Sequence, residues 1–422
     1  MSKSEADIQY DLLKLGVEIS KLKDRATSIV HTYTPRTDLG DDKENLQLLS
    51  DKIETLDLFS LKGDGSSVAS VDSSSRMLRT TFLDLVVVGG ALYSTDRDRL
   101  IYPFDVSGRY IGVASYLEFL RILQKALNTV GIATANVVGY EFAVDEVEVE
   151  TKEGIRRESL YHLDDVADEL RLEAENNLIR QATKEKLLIL DGPLFPTPIE
   201  LSSSFQFGLP KDRDVLKHWG RITHRWAYAT LIKERLDMIK SRDVIGVVKR
   251  LENSRKLRQI SGIGKFIGIN RVPDLTDAEL LELISEKQCN STIGLCLIGP
   301  IRIVSEIDVK RDDIDQVIIN AEDIPERYAY YAILKIPGGI QTFFRIEGLN
   351  LSVLNNSLQE VFSGITKEML PTYISFVDNY SKKVTKGLFY LSFNVLKDFI
   401  TFLHDTKLEA LNISQEINSG LV

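Results

Sequence analysis

Two apolar runs that each end on an aspartate constrain this chain more than any other feature. The first is Val68–Asp72, VASVD, followed by Ser73, Ser74 and Ser75; the second is Leu187–Asp191, LLILD, followed by Gly192 and Pro193. Short runs of this kind, bounded by turn residues, read as buried strands. Between them Val166, Leu170, Ala174, Leu178 and Ala182 form a helix-period ladder within Leu163–Thr183. Two strands joined through a helical crossover lie parallel in one sheet. A side chain at the carboxyl end of such a strand sits where α/β sheets place ligands. Asp72 and Asp191 are therefore expected side by side, with Ser73–Ser75 turning the chain sharply after Asp72.

Converging carboxylates hold hard cations. Oxygen ligands favour Mg²⁺ or Mn²⁺ over zinc. Two such ions about 4 Å apart can generate an attacking hydroxide and stabilise the leaving oxygen of a phosphodiester. A third carboxylate is expected from the intervening helix. Glu173 and Glu175 lie at opposite edges of its apolar face, so spacing leaves both open. The bland alternative is that each aspartate only opens a turn. The order strand, strand, strand, helix, strand, with aspartates on the first and last, favours the paired reading. It is the element order of a ribonuclease H-like core.

The remaining segments fill out an α/β fold with a mixed sheet and helical regions at both ends. Residues 1–60 read as a helical arm: Ile8, Leu12, Leu15, Ile19 and Leu22 recur at helical spacing, and a second helix is expected over LQLLSDKIETLDLF. The core is placed at 61–349 and C-terminal helices at 350–422, ending in a polar tail. Thr81–Tyr93 and Arg99–Phe104 read as strands broken by Gly89-Gly90, and Tyr116–Val130 as a helix. Asn136–Glu150 reads as a half-exposed strand and Leu216–Ile239 as a helix. Asp243–Val248, Ile293–Ile307 and a hairpin over Tyr328–Ile346, turning at Pro337-Gly338-Gly339, complete the strands.

Charge narrows the function further. The chain carries 52 basic and 62 acidic residues, net −10, so a nucleic-acid contact must be local rather than spread over the surface. The segment 249–271 is the one dense basic stretch. Lys249, Arg250, Arg255, Lys256 and Arg258 make it a candidate DNA-binding, phosphate-contacting loop. Its GIGK does not have the P-loop spacing. His218 and His224 are six apart, which is not the spacing of a helical zinc pair. No GxSxG or Cys/His nucleophile pattern occurs. Cys289 and Cys296 are expected to be reduced, buried thiols. No apolar run is long enough to span a bilayer, and the N-terminus has no signal-type apolar stretch. A cytoplasmic location without membrane contact is expected.

At these residues the chain resembles the NurA family of archaeal and bacterial DNA nucleases. Val71–Ser75, VDSSS, stands where the family has VDGS. Leu188–Leu194, LILDGPL, matches the family's strand ending in LDG; Val244–Arg250 resembles its vvGvvKr segment, and Phe343–Glu347, FFRIE, the segment before its last helices. The resemblance implies a ribonuclease H-like fold and Mn²⁺-dependent cleavage of single strands and duplex ends, with Mg²⁺ an alternative ion. It implies a homodimer, and docking on a hexameric HerA-type translocase in end resection and double-strand break repair. Carried over, Asp72, Asp191 and one of Glu173 or Glu175 are metal ligands. The family's C-terminal element has Tyr-Pro and then Ala-His eight residues after the Tyr. Matched on Tyr390, a candidate catalytic residue, the eighth position is Asp398, and the nearest histidine is His404. That departure motivates a second expectation: a silent module of the same fold that binds DNA or a translocase.

Overall fold

The computed structural model describes residues 3–26, 44–57, 60–63, 65–80, 83–114, 137–138, 147–151, 154–158, 163–196, 230–289, 293–305, 309–311, 316–319, 323–338 and 340–419. Its strands are β1 (Glu44–Leu48), β2 (Ile53–Asp57), β3 (Val68–Arg79), β4 (Asp84–Ser94), β5 (Leu100–Tyr102), β6 (Ile111–Ala114), β7 (Val137–Val138), β8 (Val147–Thr151), β9 (Gly154–Glu158), β10 (Leu187–Asp191), β11 (Asp243–Val248), β12 (Gly294–Ser305), β13 (Val309–Arg311), β14 (Gln316–Ile319), β15 (Arg327–Lys335) and β16 (Gln341–Gly348). The helices are α1 (Glu5–Ala26), α2 (Leu163–Ile179), α3 (Asp277–Gln288), α4 (Leu351–Val361), α5 (Thr372–Leu396) and α6 (His404–Asn418). Residues 230–239 are also helical.

One mixed sheet of 12 strands organises the molecule, ten of them in the order β1-β12-β15-β16-β11-β10-β3-β4-β6-β7, with β2 also paired to β12 and β5 to β4. Its middle, β6-β4-β3-β10-β11, is compatible with the ribonuclease H-like expectation. β3, β4 and β6 form an antiparallel meander. After α2 the chain returns as β10, parallel to β3, and then as β11, parallel to β10. The run Leu85–Val88 is apolar without alternation because β4 is covered on both faces. α5 lies on one face and α2 on the other. Gly89 and Gly90 are therefore no break: they are where both helices approach the sheet. A Cβ at Gly89 would meet Thr385 Oγ1 at 2.7 Å on α5, and one at Gly90 would meet Leu178 Cδ1 at 2.9 Å on α2.

Several expectations are corrected. The second N-terminal helix is absent: β1 and β2 instead pair in tandem along one edge of β12. The alternating exposure of β1 shows a period of two where a helical period was read, and pairing with a long partner overrides local preference. The three serines do not turn the chain. β3 runs through them to Arg79, with Ser73 opposite Gly90 and Ser74 opposite Gly89. The polar C-terminal tail is helical as far as Asn418, as part of α6, which buries Ala410 and Ile413. Cys289 and Cys296, at the end of α3 and in β12, are paired as a disulfide rather than free thiols, with Cα atoms 6.4 Å apart. The first helix holds, with Ile8, Leu12, Leu15 and Ile19 buried, as do the β15–β16 hairpin and the C-terminal helices. The expected helix over 116–130, most of the strand over 136–150 and residues 216–229 with their histidines lie outside the described residues. Among the described residues no helix is long and apolar enough to cross a membrane.

Close packing at Gly89 sets the height of α5 over β4. Gly89→Ala forces Thr385 and its backbone nitrogen, 3.0 Å from the new Cβ, to move. Denaturant unfolding should show a loss of roughly 1–3 kcal/mol, the usual cost of overpacking. An unchanged midpoint would show that α5 is free to shift.

Candidate metal centre

The centre forms at a notch in the sheet. β10 ends at Asp191, whereas β3 continues past Asp72; the pairing of the two stops at Leu190 opposite Val71. Successive residues of a strand face opposite sides. Asp72 accordingly faces α5, where Ser381 Oγ donates to its Oδ2, and Ser73 faces α2, where its Oγ donates to Glu175 Oε1 at 2.7 Å. Carboxylates reach the notch from both layers.

Three of them converge. Asp72, Asp191 and Asp378 each offer an oxygen, and all three oxygens lie within 4.8 Å of one another. Asp378 comes from the first turns of α5. Lys249, just beyond β11, places its Nζ 2.5 Å from Asp191 Oδ2 and 2.6 Å from Asp378 Oδ1. Lys382, one turn along α5, adds a bond of 2.6 Å to Asp378 Oδ2. Burial pushes the Asp72 carboxyl well above the usual carboxylate range, and the Asp191 and Glu175 charges push it further. Asp191 is also raised by burial, which outweighs Lys249. Burial acts upward on Asp378 too, but the two ammonium groups outweigh it and hold this carboxyl low. Asp191 and Asp378 keep Lys249 charged against the opposing effect of burial.

Glu175 and Glu173, two residues apart on α2, go different ways. Glu175 is clamped between Ser73 and Arg235, whose Nη2 lies 2.8 Å from Glu175 Oε2. Arg235 is fully buried and also bonds Asn176 Oδ1 at 2.6 Å, pinning helical residues 230–239 to α2. Glu173 turns away to Arg109, Nε to Oε2 2.5 Å, beside a cavity of about 420 Å³ also lined by Asn177, Arg180 and Glu234. The structure therefore brings Glu175, and not Glu173, to Asp72. Glu347, inside the FFRIE stretch, accepts from Leu194 N in the loop that leaves Asp191 and bonds Arg345 Nε at 2.7 Å.

Other sequence candidates lie elsewhere. Tyr390 bonds Ser414 Oγ of α6 at 3.2 Å, about 18 Å along α5 from Asp378 at 1.5 Å per residue. Lys256 is held by Glu44 at 2.6 Å. Arg255 and Arg258 face Asp274, and Arg250 is exposed. Of the basic candidates only Lys249 enters the centre.

Asp378 is the residue that sequence reasoning missed. Two signals pointed to it. Asp378, Ser381 and Thr385 form a polar stripe at helical spacing on a helix otherwise rich in aromatics. The resemblance offers the second. Anchored on Leu370-Pro371 rather than on Tyr390, the eight-residue spacing ends on Val377-Asp378. The structure puts Asp378, not Asp398 or His404, at the cluster.

The donor set fits a hard divalent cation. It is all oxygen, it is buried, and its charges repel one another where no cation lies between them. That repulsion is measurable without metal. Asp72→Asn keeps the acceptor for Ser381 and removes one buried charge. With chelator at pH 7 it should raise stability by roughly 1 kcal/mol or more, because every tenfold weakening of a buried acid corresponds to about 1.4 kcal/mol. The sign follows from linkage: a carboxyl raised in the fold costs nothing below its unfolded pKa, and the cost grows as pH climbs above about 4. Thermal melts at pH 4 should therefore show no advantage for the variant. Equal stability at both pH values would mean that Asp72 is not under strain.

The family model described as the NurA domain matches residues 66–382. No curated protein matches the chain in sequence. Among solved structures, the chain is similar to the NurA nuclease from Sulfolobus solfataricus, with TM-score 0.42 and 11% identity over 82% of this chain and 88% of that one. It is similar to NurA bound to dAMP and manganese, with TM-score 0.40 and 8% identity over 77% and 85%. It is also similar to NurA with manganese, with TM-score 0.38 and 9% identity over 79% and 90%.

Proposed function

This chain belongs to the NurA family, and from that premise we propose that it is a metal-dependent deoxyribonuclease cutting single strands and duplex ends. The observation that carries this reading is the convergence of Asp72, Asp191 and Asp378 at the end of β10. Asp72, Asp191 and Asp378 would hold the cation, with Glu175 beside them. A divalent ion held there supplies Lewis acidity toward a phosphodiester and lowers the pKa of the water that attacks it. Mn²⁺ is the first ion to try, being the one named for two NurA structures above; Mg²⁺ suits the same oxygens.

The chain's own residues prepare the site. Ser381 fixes one oxygen of Asp72. Ser73 and Arg235 fix both oxygens of Glu175, so the carboxylate is oriented before any ligand arrives. Rigid support of this kind is what positions a reacting group productively. Arg250, Arg255 and Arg258, beyond Lys249 on the same segment, are proposed to meet the phosphates of the strand entering the notch. For setting and partners we propose what the family resemblance implies: a homodimer in the cytoplasm, fed with DNA by a hexameric HerA-type translocase during end resection and double-strand break repair. The second reading, a silent module of the same fold that binds DNA or a translocase, is separated from this one by the cleavage test.

The test is cleavage of end-labelled single-stranded and blunt duplex DNA with Mn²⁺, Mg²⁺ or chelator. Cleavage should require the divalent ion. Asp72→Ala, Asp191→Ala and Asp378→Ala should each lose more activity than the roughly 10–100-fold that removal of an outer-shell partner costs, and Glu175→Gln should lose about that much. Glu173→Gln should cut like the parent. Digestion in chelator, or an Asp191→Ala variant as active as the parent, would refute the proposal. An intact fold with no cleavage under any ion would favour the silent module.

A further inference from the structure

Lys249 stands in an unusual place for a lysine. Its ammonium contacts Asp191 and Asp378 at 2.5 and 2.6 Å, and those two acids with Asp72 are the oxygens gathered within 4.8 Å. Its side chain is only 17% exposed. A divalent ion bound to the same oxygens would need contacts of roughly 2.0–2.6 Å. An ammonium hydrogen-bonded to both acids fills that space, and two cations at such range repel strongly in a buried site.

We propose that Lys249 is the resident counter-ion of this centre, and that a divalent cation enters only as the ammonium lets go of Asp191. The inference rests on the metal reading above. Two further features support the exchange. Asp378 has a second ammonium, from Lys382, which is 48% exposed, so it stays paired when Lys249 leaves. Asp191 has no such reserve among the described residues: Lys249 is the cation bonded to it. The exchange also discriminates by charge. A monovalent ion brings no more charge than the ammonium that it would displace, so it gains little by entering. A divalent ion brings twice the charge to the same three carboxylates. Lys249 thereby makes the empty centre tolerable to the fold and sets a threshold that only a divalent ion passes. It acts through the ligands, as a positioning residue.

The first experiment measures Mn²⁺ binding to the full chain by titration calorimetry, for the parent, Lys249→Met and Asp191→Asn. Methionine keeps the length of the side chain without its charge. Lys249→Met should bind Mn²⁺ at least about tenfold more tightly than the parent, the order expected from removing one unit charge at contact range. Its melting temperature in chelator should fall, and Mn²⁺ should restore it. Asp191→Asn should bind weakly. Equal or weaker binding by Lys249→Met, with the parent binding normally, overturns the counter-ion role and leaves the metal reading standing. Absence of Mn²⁺ binding by both proteins overturns the metal reading and this inference with it.

A second experiment needs no variant, which covers a Lys249→Met chain that fails to fold. Acetic anhydride labelling of the parent, read by peptide mass spectrometry, should find Lys249 protected in chelator and several-fold more reactive with Mn²⁺. Reactivity that is unchanged or lower with Mn²⁺ overturns the proposal.

Discussion

Three aspartates with oxygens within 4.8 Å of one another are an arrangement that no fold adopts without compensation. Buried like charges raise each other's pKa and cost stability until a cation joins them. In this chain the compensation is layered. Lys249 bridges two of the acids, Lys382 backs one of them, and Ser381 satisfies the third. Most of what is distinctive in the architecture serves to bring these groups together and hold them there.

The sheet does this with one unequal pair of strands. β10 has 5 residues and β3 has 12, so the shorter strand leaves an edge of the longer one open to both layers. Helices then close over the notch from opposite faces, α2 bringing Glu175 and α5 bringing Asp378. Gly89 and Gly90 allow both helices to sit close. On the far side, a buried ionic group supports the loop after Asp191. Glu347 bonds Leu194 and Arg345, and Arg327 pairs with Glu44. Such a group contributes little net stability compared with apolar packing, and its value here lies in fixing where β10 ends.

Much of this was legible in the sequence, and the reasons are local. The apolar runs before Asp72 and Asp191 and the ladder in α2 carry period and length signals that burial on both faces makes strong. Those signals suffice for the parallel pair and the crossover helix. What stayed hidden depends on contacts distant in the chain. Glu173 and Glu175 differ by two positions on one helix, and only Arg109 and Arg235 decide which turns inward. Ser73–Ser75 carries turn chemistry, yet unbroken pairing with β4 keeps it extended. β1 and β2 are short, and their partner β12 lies far along the chain. Asp378 sits among aromatics, and its role follows from the placement of α5 rather than from its neighbours. Lys249 looked like part of a basic loop because charge density counts residues and not where each side chain ends.

The central claim is that these aspartates are a cation site rather than an ion-paired support of the sheet. Crystals of the full chain soaked in MnCl₂, with diffraction collected on both sides of the manganese absorption edge, test it most directly. An anomalous peak is expected among the carboxylates of Asp72, Asp191 and Asp378, with Lys249 withdrawn from Asp191. A map with no peak there, and Lys249 still bridging the two acids at saturating Mn²⁺, would contradict the claim.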